Sequence, residues 1–567
     1  MSKMSIVSAA LLLMVGTGRL AGEDAPPVAI QEVKEYLRAS PQDMQWWREA
    51  RFGLFVHWGP VSLQGTEIGW SRGGERRGTG GKGEVPLEVY DNLYKKFNPV
   101  RFNADEWVRI AQDAGMRYLV FTTKHHDGFT NFDSKLTDYK ITSPESPFRR
   151  DIVAELARAC HQAGMRLGFY YSPPDWHHPD YRTAEHAKYI AYLHGQLREL
   201  CSHYGRVDII WFDGLGGTAK DWDSENLFKM IRTLQPHILL NNRAGLPGDF
   251  GTPEQTIGRF DIKRPWESCI TICQQWAWKP NDNLKSLKEC VHTLVRCAGG
   301  DGNLLLNVGP MPSGEIEPRQ VDVLRGMGQW LKVAGEALYA TRGGPFMPGL
   351  WGASTHRGKK VYLHVLEWPD GEDLLALPAI KARIVASSLL GGGTVTVRQG
   401  EKGITVGVPA PDRRDPDTIV VLELDCPAMD IPPVATGGVS LTTGKKATAS
   451  NVFQNSDAHG PDKAVDENDA TRWATDAGTR SAWLEVDLGE AKTFDRATLR
   501  EAYERVRAFE LQYKDGDSWR TFATGTTIGR RCRLKFAPVT ARYVRLNITE
   551  ATEGPTLWEF ALTPPVQ

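Results

Sequence analysis

One carboxylate in this sequence stands where a side chain could do chemistry. Asp213 closes the run VDIIWFDG, directly after Trp211 and Phe212 and before a glycine. An ionised group beside aromatic rings is costly to bury unless it is paired or used. The position therefore indicates either a functional carboxylate at the end of a strand or a loop carboxylate paired with a cation such as Arg243.

Cleavage of a glycosidic bond is one chemistry that needs two carboxyl groups. One attacks or stabilises the anomeric carbon, and the other protonates the departing oxygen. Two candidates for the second group follow Asp213 in the chain. Glu254 lies in GDFGTPEQTIGRF, on a loop containing Gly and Pro, and Glu267 lies in KRPWESC, in a predicted strand. Each could also be a surface or supporting carboxylate.

Three histidines form a polar set with Lys124 and Asp127. His125 and His126 are neighbours in TKHHDGF, and His57 follows an earlier apolar run. Adjacent strand residues point to opposite faces, so we expect that His125 and His126 cannot both enter one tetrahedral zinc site unless the backbone bends there. No HxH or HExxH spacing is present. Hydrogen bonding to hydroxyl groups fits this set better.

Aromatic residues accompany the polar positions, which predicts a lined pocket at the strand ends. They are Trp58, Tyr170, Tyr171, Trp211, Phe212, Trp276 and Trp278. Indole faces stack well on the C–H faces of sugars. Core packing alone would account for most of the 18 tryptophans in the chain.

Short apolar runs alternate with amphipathic stretches between residues 40 and 340, which is typical of βα units around a parallel sheet. The strand candidates are RFGLFVHWG, RYLVFTTKHH, RLGFYYSP, VDIIWFDG, HILLNNR and NLLLNVGP, with a less clear one at RPWESCITI. Three predicted helices end at glycines suited to a left-handed cap. The polar candidates fall at the strand ends, where barrel enzymes place their chemistry, so a (β/α)8 TIM-like barrel is predicted. A doubly wound sheet is the alternative, but no nucleotide fingerprint follows the first strand.

Four regions follow from the pattern along the chain. Residues 1–22 read as a signal peptide, with a Lys near the start, a short apolar stretch and small residues before Glu23. Residues 30–343 are the predicted barrel, residues 344–432 an antiparallel β-sandwich, and residues 438–567 a second β-domain after a Pro- and Gly-rich linker. We expect a secreted or periplasmic protein without a membrane span after signal cleavage.

The charge balance argues against nucleic acid as a partner. The chain has 68 basic and 69 acidic side chains, a formal net charge of -1, so no field of one sign draws in nucleic acid or an acidic membrane. The eight cysteines lie mostly in apolar or helical surroundings and are expected to be buried free thiols. Cys269 and Cys273 lack the paired motif that a zinc site needs.

Taken together, six strings resemble the successive barrel motifs of the α-L-fucosidases of glycoside hydrolase family 29. They are RFGLFVHWGP, FTTKHHDGF, FYYSPPDW, IIWFDG, NNR and LLLNVGPMPSGEI, in the family's order over residues 40–340. The resemblance implies a retaining double displacement on fucosylated oligosaccharides, in which Asp213 attacks the fucose anomeric carbon. It favours Glu254, in a TPE loop, as the general acid/base, with Glu267 as the alternative. No cofactor is implied for catalysis.

The resemblance also implies a set of sugar-contacting residues. They are His57, Trp70, His125, His126, Tyr171, Arg243 and Trp276. One departure lies in TEIGWSRGG, where many relatives carry a Glu-Trp pair and this chain has Gly69 before Trp70. Glu67 is a candidate replacement for the missing carboxylate.

The last region resembles a discoidin-like module of the family 32 carbohydrate-binding type, through KKATAS, AVDENDATRWAT and WLEVDLG. Such modules often hold one structural calcium ion. Asp466, Thr471 and Glu559 are the candidate ligands, because calcium prefers hard oxygen donors. A plain acidic turn is the alternative for this segment. For the whole chain, the alternatives are a catalytically inactive carbohydrate-binding relative and a retaining glycosidase for a related sugar such as a galactoside.

Overall fold

The computed structural model describes residues 38–368, 374–436, 440–466 and 471–565. These fall into three groups of elements, each with its own hydrophobic core. The first is a parallel α/β barrel and the other two are built from antiparallel strands, so the predicted fold class is confirmed. The predicted signal peptide, residues 1–22, lies outside the described residues and stays a prediction.

From residue 38 onward, where the structure describes it, the barrel region contains seven parallel strands and nine α-helices. The strands are β1 (Phe52–Val56), β2 (Tyr118–Lys124), β3 (Arg166–Tyr171), β4 (Ile209–Phe212), β5 (Leu239–Leu240), β6 (Glu267–Thr271) and β7 (Asn303–Val308). The helices are α1 (Pro41–Ala50), α2 (Leu87–Tyr90), α3 (Ala104–Asp113), α4 (Ile152–Ala163), α5 (His186–His203), α6 (Ala219–Trp222), α7 (Ser224–Leu234), α8 (Leu287–Gly299) and α9 (Pro318–Ala334). The sheet order is β5-β4-β3-β2-β1-β7-β6. Every strand candidate from the sequence contains one of these strands.

A short irregular segment closes the barrel between β5 and β6. Asn241, after β5, pairs in parallel with Phe250, and Gly251 pairs in parallel with Trp266, before β6. We call residues 249–255 the closing segment. It takes the place of the eighth strand and completes the predicted (β/α)8 arrangement, because it is bonded to a neighbour on each side.

Alternate strand residues face opposite sides, which gives the barrel an inner and an outer apolar cluster. Phe55, Tyr170 and Trp211 belong to the inner cluster, whereas Tyr171 and Phe212 belong to the outer one. In the register of β3 with β4, Tyr170 lies beside Trp211 and Tyr171 beside Phe212. The residue after β4 therefore returns to the inside of the barrel mouth.

Glycines end three of the barrel helices where the sequence predicts, and a polar side chain caps the start of one of them. Gly115, Gly164 and Gly205 have φ values of 83°, 66° and 72°, which side chains with a Cβ rarely adopt. At the start of α4, Asp151 accepts a hydrogen bond from the amide of Ala154 at 2.8 Å. These caps satisfy backbone groups that the helix itself leaves without a partner.

The second group of elements follows the barrel as two antiparallel sheets. Its strands are β8 (Arg342–Gly343), β9 (Gly352–Arg357), β10 (Lys360–Val365), β11 (Leu374–Leu377), β12 (Ile384–Leu389), β13 (Thr396–Gly400), β14 (Gly403–Gly407) and β15 (Thr418–Leu424). The larger sheet has the order β12-β15-β10-β9-β8 and the smaller one β11-β14-β13. Their inward side chains form a single apolar core.

The third group is an all-β domain dominated by two long strands. Its strands are β16 (Lys446–Ala449), β17 (Trp473–Ala474), β18 (Ala482–Glu501), β19 (Val506–Asp515), β20 (Ser518–Gly525), β21 (Cys532–Ala551) and β22 (Thr556–Thr563). β18 and β21 pair with each other across two register shifts, which lets one pair of strands curve around the core.

All eight cysteines of the chain are free thiols, six of them buried. Among the helices that the structure describes, none combines the length and the apolar character that a bilayer span requires.

Candidate active site

Asp213 lies at the carboxyl end of β4, inside a pocket at the barrel mouth. Its Oδ2 atom accepts a hydrogen bond from the hydroxyl of Tyr170 at 2.9 Å and faces Nε2 of His126 at 3.4 Å. Its Oδ1 atom accepts a hydrogen bond from Nη1 of Arg243 at 3.1 Å. Three groups from three strand ends therefore hold the carboxylate in one orientation.

The surroundings of Asp213 keep it ionised although it is buried. Burial alone would raise its pKa, but the hydrogen bond and charge of His126 and the charge of Arg243 outweigh that effect. The pKa of Asp213 is therefore held well below its usual range. A carboxylate that is charged at every working pH and faces a cavity is suited to act as a nucleophile.

Arg243 joins Asp213 to a second carboxylate. Its Nη1 atom contacts Oδ1 of Asp213 at 3.1 Å and Oε2 of Glu254 at 2.7 Å, so these two oxygens are no more than about 6 Å apart. The guanidinium is fixed by bonds to the hydroxyl and the carbonyl of Thr252, at 2.8 and 2.9 Å. It also lies over the ring of Trp211, 4.7 Å from its centre. Arg243 thus sets the spacing between the two acids.

Glu254 is carried by the closing segment of the barrel. The segment continues along β6, where the amide of Cys269 donates to the carbonyl of Pro253 at 3.0 Å and the amide of Gln255 donates to the carbonyl of Cys269 at 2.9 Å. These bonds place Glu254 at the rim. Its side chain is 43% exposed, compared with 14% for Asp213. Glu254 therefore lies at the opening of the pocket and Asp213 lies deeper.

His125 and His126 both reach the pocket, contrary to the expectation from strand alternation. β2 ends at Lys124, and the amide of Gly128 bonds to the carbonyl of His125 at 3.1 Å, so the two histidines lie in a turn rather than in the strand. Their ring centres are 4.2 Å apart. The alternation rule holds inside a strand and fails where the backbone bends.

The contacts of His126 orient its ring toward Asp213. The hydroxyl of Ser172 donates to the carbonyl of Pro174 at 2.7 Å, so it accepts from Nδ1 of His126, 2.6 Å away. The other ring nitrogen, Nε2, faces the carboxylate of Asp213 at 3.4 Å. The contact with Ser172 therefore fixes the orientation of the ring, with Nε2 directed at Asp213.

His57 is neutral and presents an acceptor nitrogen. Burial lowers the pKa of His57 to about 3. The amide nitrogen of Asn307 donates to the carbonyl of Trp276 at 2.8 Å, which leaves the amide oxygen to accept from Nδ1 of His57 at 2.6 Å. With its proton on Nδ1, His57 is left with a lone pair on Nε2, which can accept a hydrogen bond from a sugar hydroxyl.

Glu67 does not replace the carboxylate that is missing before Trp70. Its carboxylate accepts hydrogen bonds from the amides of Trp276 at 2.9 Å and Ala277 at 3.1 Å, outside the residues that line the pocket. It therefore fixes the loop that carries Trp276.

At Gly69, a Cβ would come within 2.6 Å of Nδ1 of His125, and φ is 65°, so this position favours glycine.

Glu267 lies in the barrel core and not at the rim. Its side chain is fully buried, and it accepts hydrogen bonds from the Tyr118 hydroxyl and, at 3.1 Å, from the indole of Trp211. It is absent from the residues that line the pocket. Because Glu267 begins β6, whereas the rim is at the strand's other end, the structure places it as a support beneath Trp211.

The buried carboxyl of Glu267 makes the stability of the barrel dependent on pH. Burial raises the pKa of Glu267 to about 7 from an ordinary value of 4.5. A raised pKa favours folding while the group keeps its proton, so the contribution of Glu267 to stability is fully present below about pH 4.5 and is lost, by up to roughly 3 kcal/mol, as pH rises through about 7. Thermal unfolding between pH 5 and 8 should therefore show a smaller change in Tm for Glu267→Gln than for the native chain. An equal change in both proteins would contradict this assignment.

Tyr171 is a predicted sugar contact that the structure places elsewhere. Its hydroxyl donates to Gln196 at 2.8 Å, among the helices outside the barrel. Tyr170 lines the pocket instead. The sequence placed Tyr170 among the aromatic residues of a lined pocket but not among the sugar contacts. The position of Asp213 relative to β4 could have separated the two tyrosines. Trp211 and Asp213 are two residues apart and face the same side, and Tyr170 is the tyrosine that pairs with Trp211.

Tyr170→Phe and Tyr171→Phe form a matched pair that tests this correction. Removing the Tyr170 hydroxyl takes away one of the donors that orient Asp213, and we expect kcat to fall about 10- to 100-fold. Tyr171→Phe should leave kcat within about twofold and lower Tm, because its hydrogen bond lies outside the pocket. Kinetics on an aryl fucoside and thermal unfolding distinguish the two. A larger loss of kcat in Tyr171→Phe would reverse the assignment.

The remaining predicted contacts all meet in one pocket. It is lined by Phe55, His57, Trp70, His125, His126, Tyr170, Trp211, Asp213, Leu215, Arg243, Glu254 and Trp276. The ligand atoms of His125, His126 and Asp213 lie within 4.8 Å of one another, a spacing that could hold a metal ion. Arg243 stands against the same carboxylate, however, and its charge opposes a cation at that point. Acid chemistry on a polar, hydroxyl-bearing ligand fits these residues better.

An α/β barrel whose rim brings two acids within about 6 Å, among histidines and aromatic rings, defines a glycoside hydrolase. A sequence model of the alpha-L-fucosidase family matches residues 29–336, which is more than half of the chain. The chain therefore belongs to the alpha-L-fucosidases, glycoside hydrolase family 29, and is a hydrolase of fucosides. Residues 446–560 match the F5/8 type C domain, which is the predicted discoidin-like module.

Relatives of known name and structure agree with this membership. Human plasma alpha-L-fucosidase is 31% identical over 407 residues, covering 64% of this chain and 85% of that protein. The structure of alpha-L-fucosidase isoenzyme 1 from Paenibacillus thiaminolyticus is 36% identical, covers 68% of this chain and 99% of its own, and has a TM-score of 0.62. A family 29 alpha-L-fucosidase from Bacteroides thetaiotaomicron, a trapped covalent intermediate with 2-fluoro-fucosyl fluoride, is 26% identical, covers 69% and 97%, and has a TM-score of 0.60.

Proposed function

We propose that the chain is an exo-acting retaining α-L-fucosidase, with Asp213 as nucleophile and Glu254 as general acid/base. The observation that carries the proposal is the spacing of these acids, which contact one nitrogen of Arg243 and lie within about 6 Å of each other. Retaining glycosidases hold their carboxyl groups about 5–5.5 Å apart, whereas inverting ones leave about 6.5–9.5 Å for a water molecule. The trapped covalent intermediate of the Bacteroides relative supports the same course.

In the first step, a carboxylate oxygen of Asp213 attacks the anomeric carbon of fucose. The glycosidic bond breaks, and the departing oxygen takes the proton of Glu254, so a fucosyl ester forms on Asp213. In the second step, Glu254 takes a proton from water, the water oxygen attacks the anomeric carbon, and the ester bond breaks. Two inversions return the original anomeric configuration.

The pocket wall supports recognition of a single terminal sugar. His57 offers an acceptor nitrogen, and Arg243 offers donors to oxygens near Asp213, with the His126 ring beside them. Phe55 and Trp276, 6.0 Å apart between ring centres, supply apolar surface for the methyl group that distinguishes fucose. Because the barrel core closes the pocket below, the rest of the glycan extends past the rim, as an exo-acting enzyme requires.

The proposal is tested by following the hydrolysis of 4-nitrophenyl α-L-fucoside by NMR. The α anomer of free fucose should appear first and then equilibrate with the β anomer. Early β-fucose would contradict a retaining mechanism. Binding of fucose without turnover would favour an inactive carbohydrate-binding relative, and turnover of the aryl galactoside in place of the fucoside would favour a related glycosidase.

For the C-terminal domain we propose one structural calcium ion, with Asp466, Thr471 and Glu559 among its ligands. The Thr471 hydroxyl donates to Asp466 at 2.7 Å, and Glu559 is 7% exposed on β22, so the donor set is rich in oxygen. Removal of calcium with a chelator should lower the Tm of this domain by several degrees, and added calcium should restore it. Asp466→Asn should abolish the response and the exposed Asp457→Asn should keep it. An unchanged Tm in the native chain would contradict the site.

We also propose that the enzyme is exported and acts on fucosylated oligosaccharides or glycoconjugates outside the cytoplasm. The signal-like residues 1–22 support export, and the name of the human plasma relative agrees with it. Amino-terminal sequencing of the exported protein tests this proposal. The mature chain should begin near residue 22, and an intact first methionine would contradict it.

A further inference from the structure

A loop beside the pocket mouth is closed at its base by hydrogen bonds between its two ends. Residues 73–84, here called the rim loop, read GGERRGTGGKGE. The amide of Gly73 donates to the carbonyl of Val85 at 2.7 Å, and the amide of Gly83 donates to the carbonyl of Arg72 at 2.8 Å. A Cβ on Gly83 would come within 2.1 Å of the Ser71 backbone, so the base of the loop is closely packed.

One arginine of the rim loop holds its far side in place. Arg77 donates to the carbonyl of His178 at 2.6 Å and to the carbonyl of Pro179 at 2.8 Å. Both carbonyls belong to the segment after β3, which forms part of the same rim. The rim loop is therefore bonded at its base and at its side, and its side chains have defined positions.

The neighbouring arginine points to the pocket mouth. The guanidinium of Arg76 lies 5.3 Å from the ring centre of Trp70 and 5.6 Å from that of Trp176, and it donates to the carbonyl of Trp70. The two indoles pack edge to face, 5.2 Å apart, and each contacts His126. Arg76 is thus stacked on the aromatic wall whose other contacts lead to Asp213 through His126.

The charge of Arg76 has no carboxylate partner at ion-pair distance within the part of the chain that the structure describes. Its Nε atom is buried and makes no hydrogen bond there. Burial lowers the pKa of Arg76, and the charge of Glu84 opposes that shift from a longer distance. Arg72, by contrast, makes a bidentate pair with Asp91, at 2.6 and 2.7 Å. Arg76 therefore keeps donor capacity that no described side chain uses.

Trp70 connects this cation to the path of the substrate. Trp70 lines the pocket with Asp213, yet 36% of its surface is exposed, so it forms the outer wall of the mouth. A glycan whose fucose lies at Asp213 must leave through the mouth that Trp70 borders, so its second sugar comes near this wall. An acidic group on that sugar can approach Arg76.

We propose that Arg76 is a specificity-determining residue that favours fucosides whose neighbouring sugar carries an oxyanion, a carboxylate or a sulfate ester. The inference rests on the proposed fucosidase function and adds the substrate class. A guanidinium matches either oxyanion with two parallel hydrogen bonds, and the fixed rim loop reduces the entropy lost when they form. Neutral fucosides gain nothing from this contact.

The test compares four substrates: 4-nitrophenyl α-L-fucoside, a neutral fucosyl disaccharide, the same disaccharide sulfated on the second sugar, and its uronic acid analogue. The readout is kcat/KM for each acidic disaccharide divided by kcat/KM for the neutral one. Arg76→Gln should lower this ratio about tenfold for the preferred oxyanion. Lys82→Gln removes the same charge from an exposed position of the same loop and should leave the ratio unchanged. Added salt should weaken the preference of the native enzyme.

The two acidic substrates identify the source of the oxyanion, because a preference for one over the other separates sulfate from carboxylate. A native enzyme that hydrolyses the neutral disaccharide and both acidic ones equally would overturn the inference and leave the fucosidase function standing. An equal ratio in Arg76→Gln and the native enzyme would overturn it as well. Absence of turnover on the aryl fucoside would overturn the fucosidase function itself.

Discussion

Replacing Asp213 with asparagine is expected to lower kcat on 4-nitrophenyl α-L-fucoside by about 10⁴- to 10⁶-fold. An amide cannot form the fucosyl ester, and the charge that His126 and Arg243 hold in place is lost with it. Binding should change far less than turnover, because the aromatic wall and His57 remain. Steady-state kinetics together with titration of fucose by calorimetry separate the two effects.

Asp208 supplies the matched control for this prediction. It lies just before β4, as Asp213 lies just after it, and it pairs with Arg166 at 2.8 Å, at the opposite end of the barrel from the pocket. Asp208→Asn should reduce stability and keep kcat within a few fold.

In Asp213→Gly, azide can enter the vacated space and attack the anomeric carbon, which yields β-fucosyl azide. Activity of Asp213→Asn above about 1% of native would remove this residue from the role of nucleophile.

Replacing Glu254 with alanine should produce a loss that depends on the leaving group. A disaccharide needs protonation of its departing oxygen, so kcat/KM should fall about 10²- to 10⁴-fold. A 2,4-dinitrophenyl fucoside leaves without a proton, so formation of the ester should be nearly unaffected and its hydrolysis should become rate-limiting. Azide then attacks the ester from the opposite face and gives α-fucosyl azide, which is the reverse of the product expected from Asp213→Gly.

Glu267→Gln is the control for Glu254→Ala. Glu267 lies beneath Trp211 in the barrel core, so its replacement should give similar fractional losses on both substrates and no azide product. A leaving-group dependence in Glu267→Gln, and none in Glu254→Ala, would exchange the roles of the two acids.

The regular part of the barrel could be predicted from the sequence. Each apolar run in the pattern became a strand, and the glycines after α3, α4 and α5 took the left-handed conformation expected of helix ends. Asp213 was found because an acid after VDIIWF stands out against its neighbours. The pairing of Asp213 with Arg243 was an alternative to function in the sequence, and the structure contains the pair within the pocket itself.

The wrong predictions concern residues whose side-chain direction is not determined by the local sequence pattern. His125 and His126 leave β2 in a turn, so the alternation that holds inside a strand gave a wrong separation. Tyr170 and Tyr171 are equivalent in composition, and register with β4 separates them. Glu67 is turned away by two amide donors of a loop about 210 residues later in the chain, a contact that no local pattern contains.

The closing segment of the barrel has a consequence for how this active site can vary between relatives. Asp213 follows a regular strand with neighbours on both sides, so shifting it would disturb the sheet. Glu254 is carried by the closing segment, which pairs with its neighbouring strands through isolated bridges and side-chain contacts and not through a continuous ladder. Insertions and deletions in the closing segment should therefore disturb few of the hydrogen bonds of the sheet. The proposed proton donor can therefore change its position in the sequence between relatives while the proposed nucleophile keeps its own, so alignment alone should find the second acid harder to trace than the first.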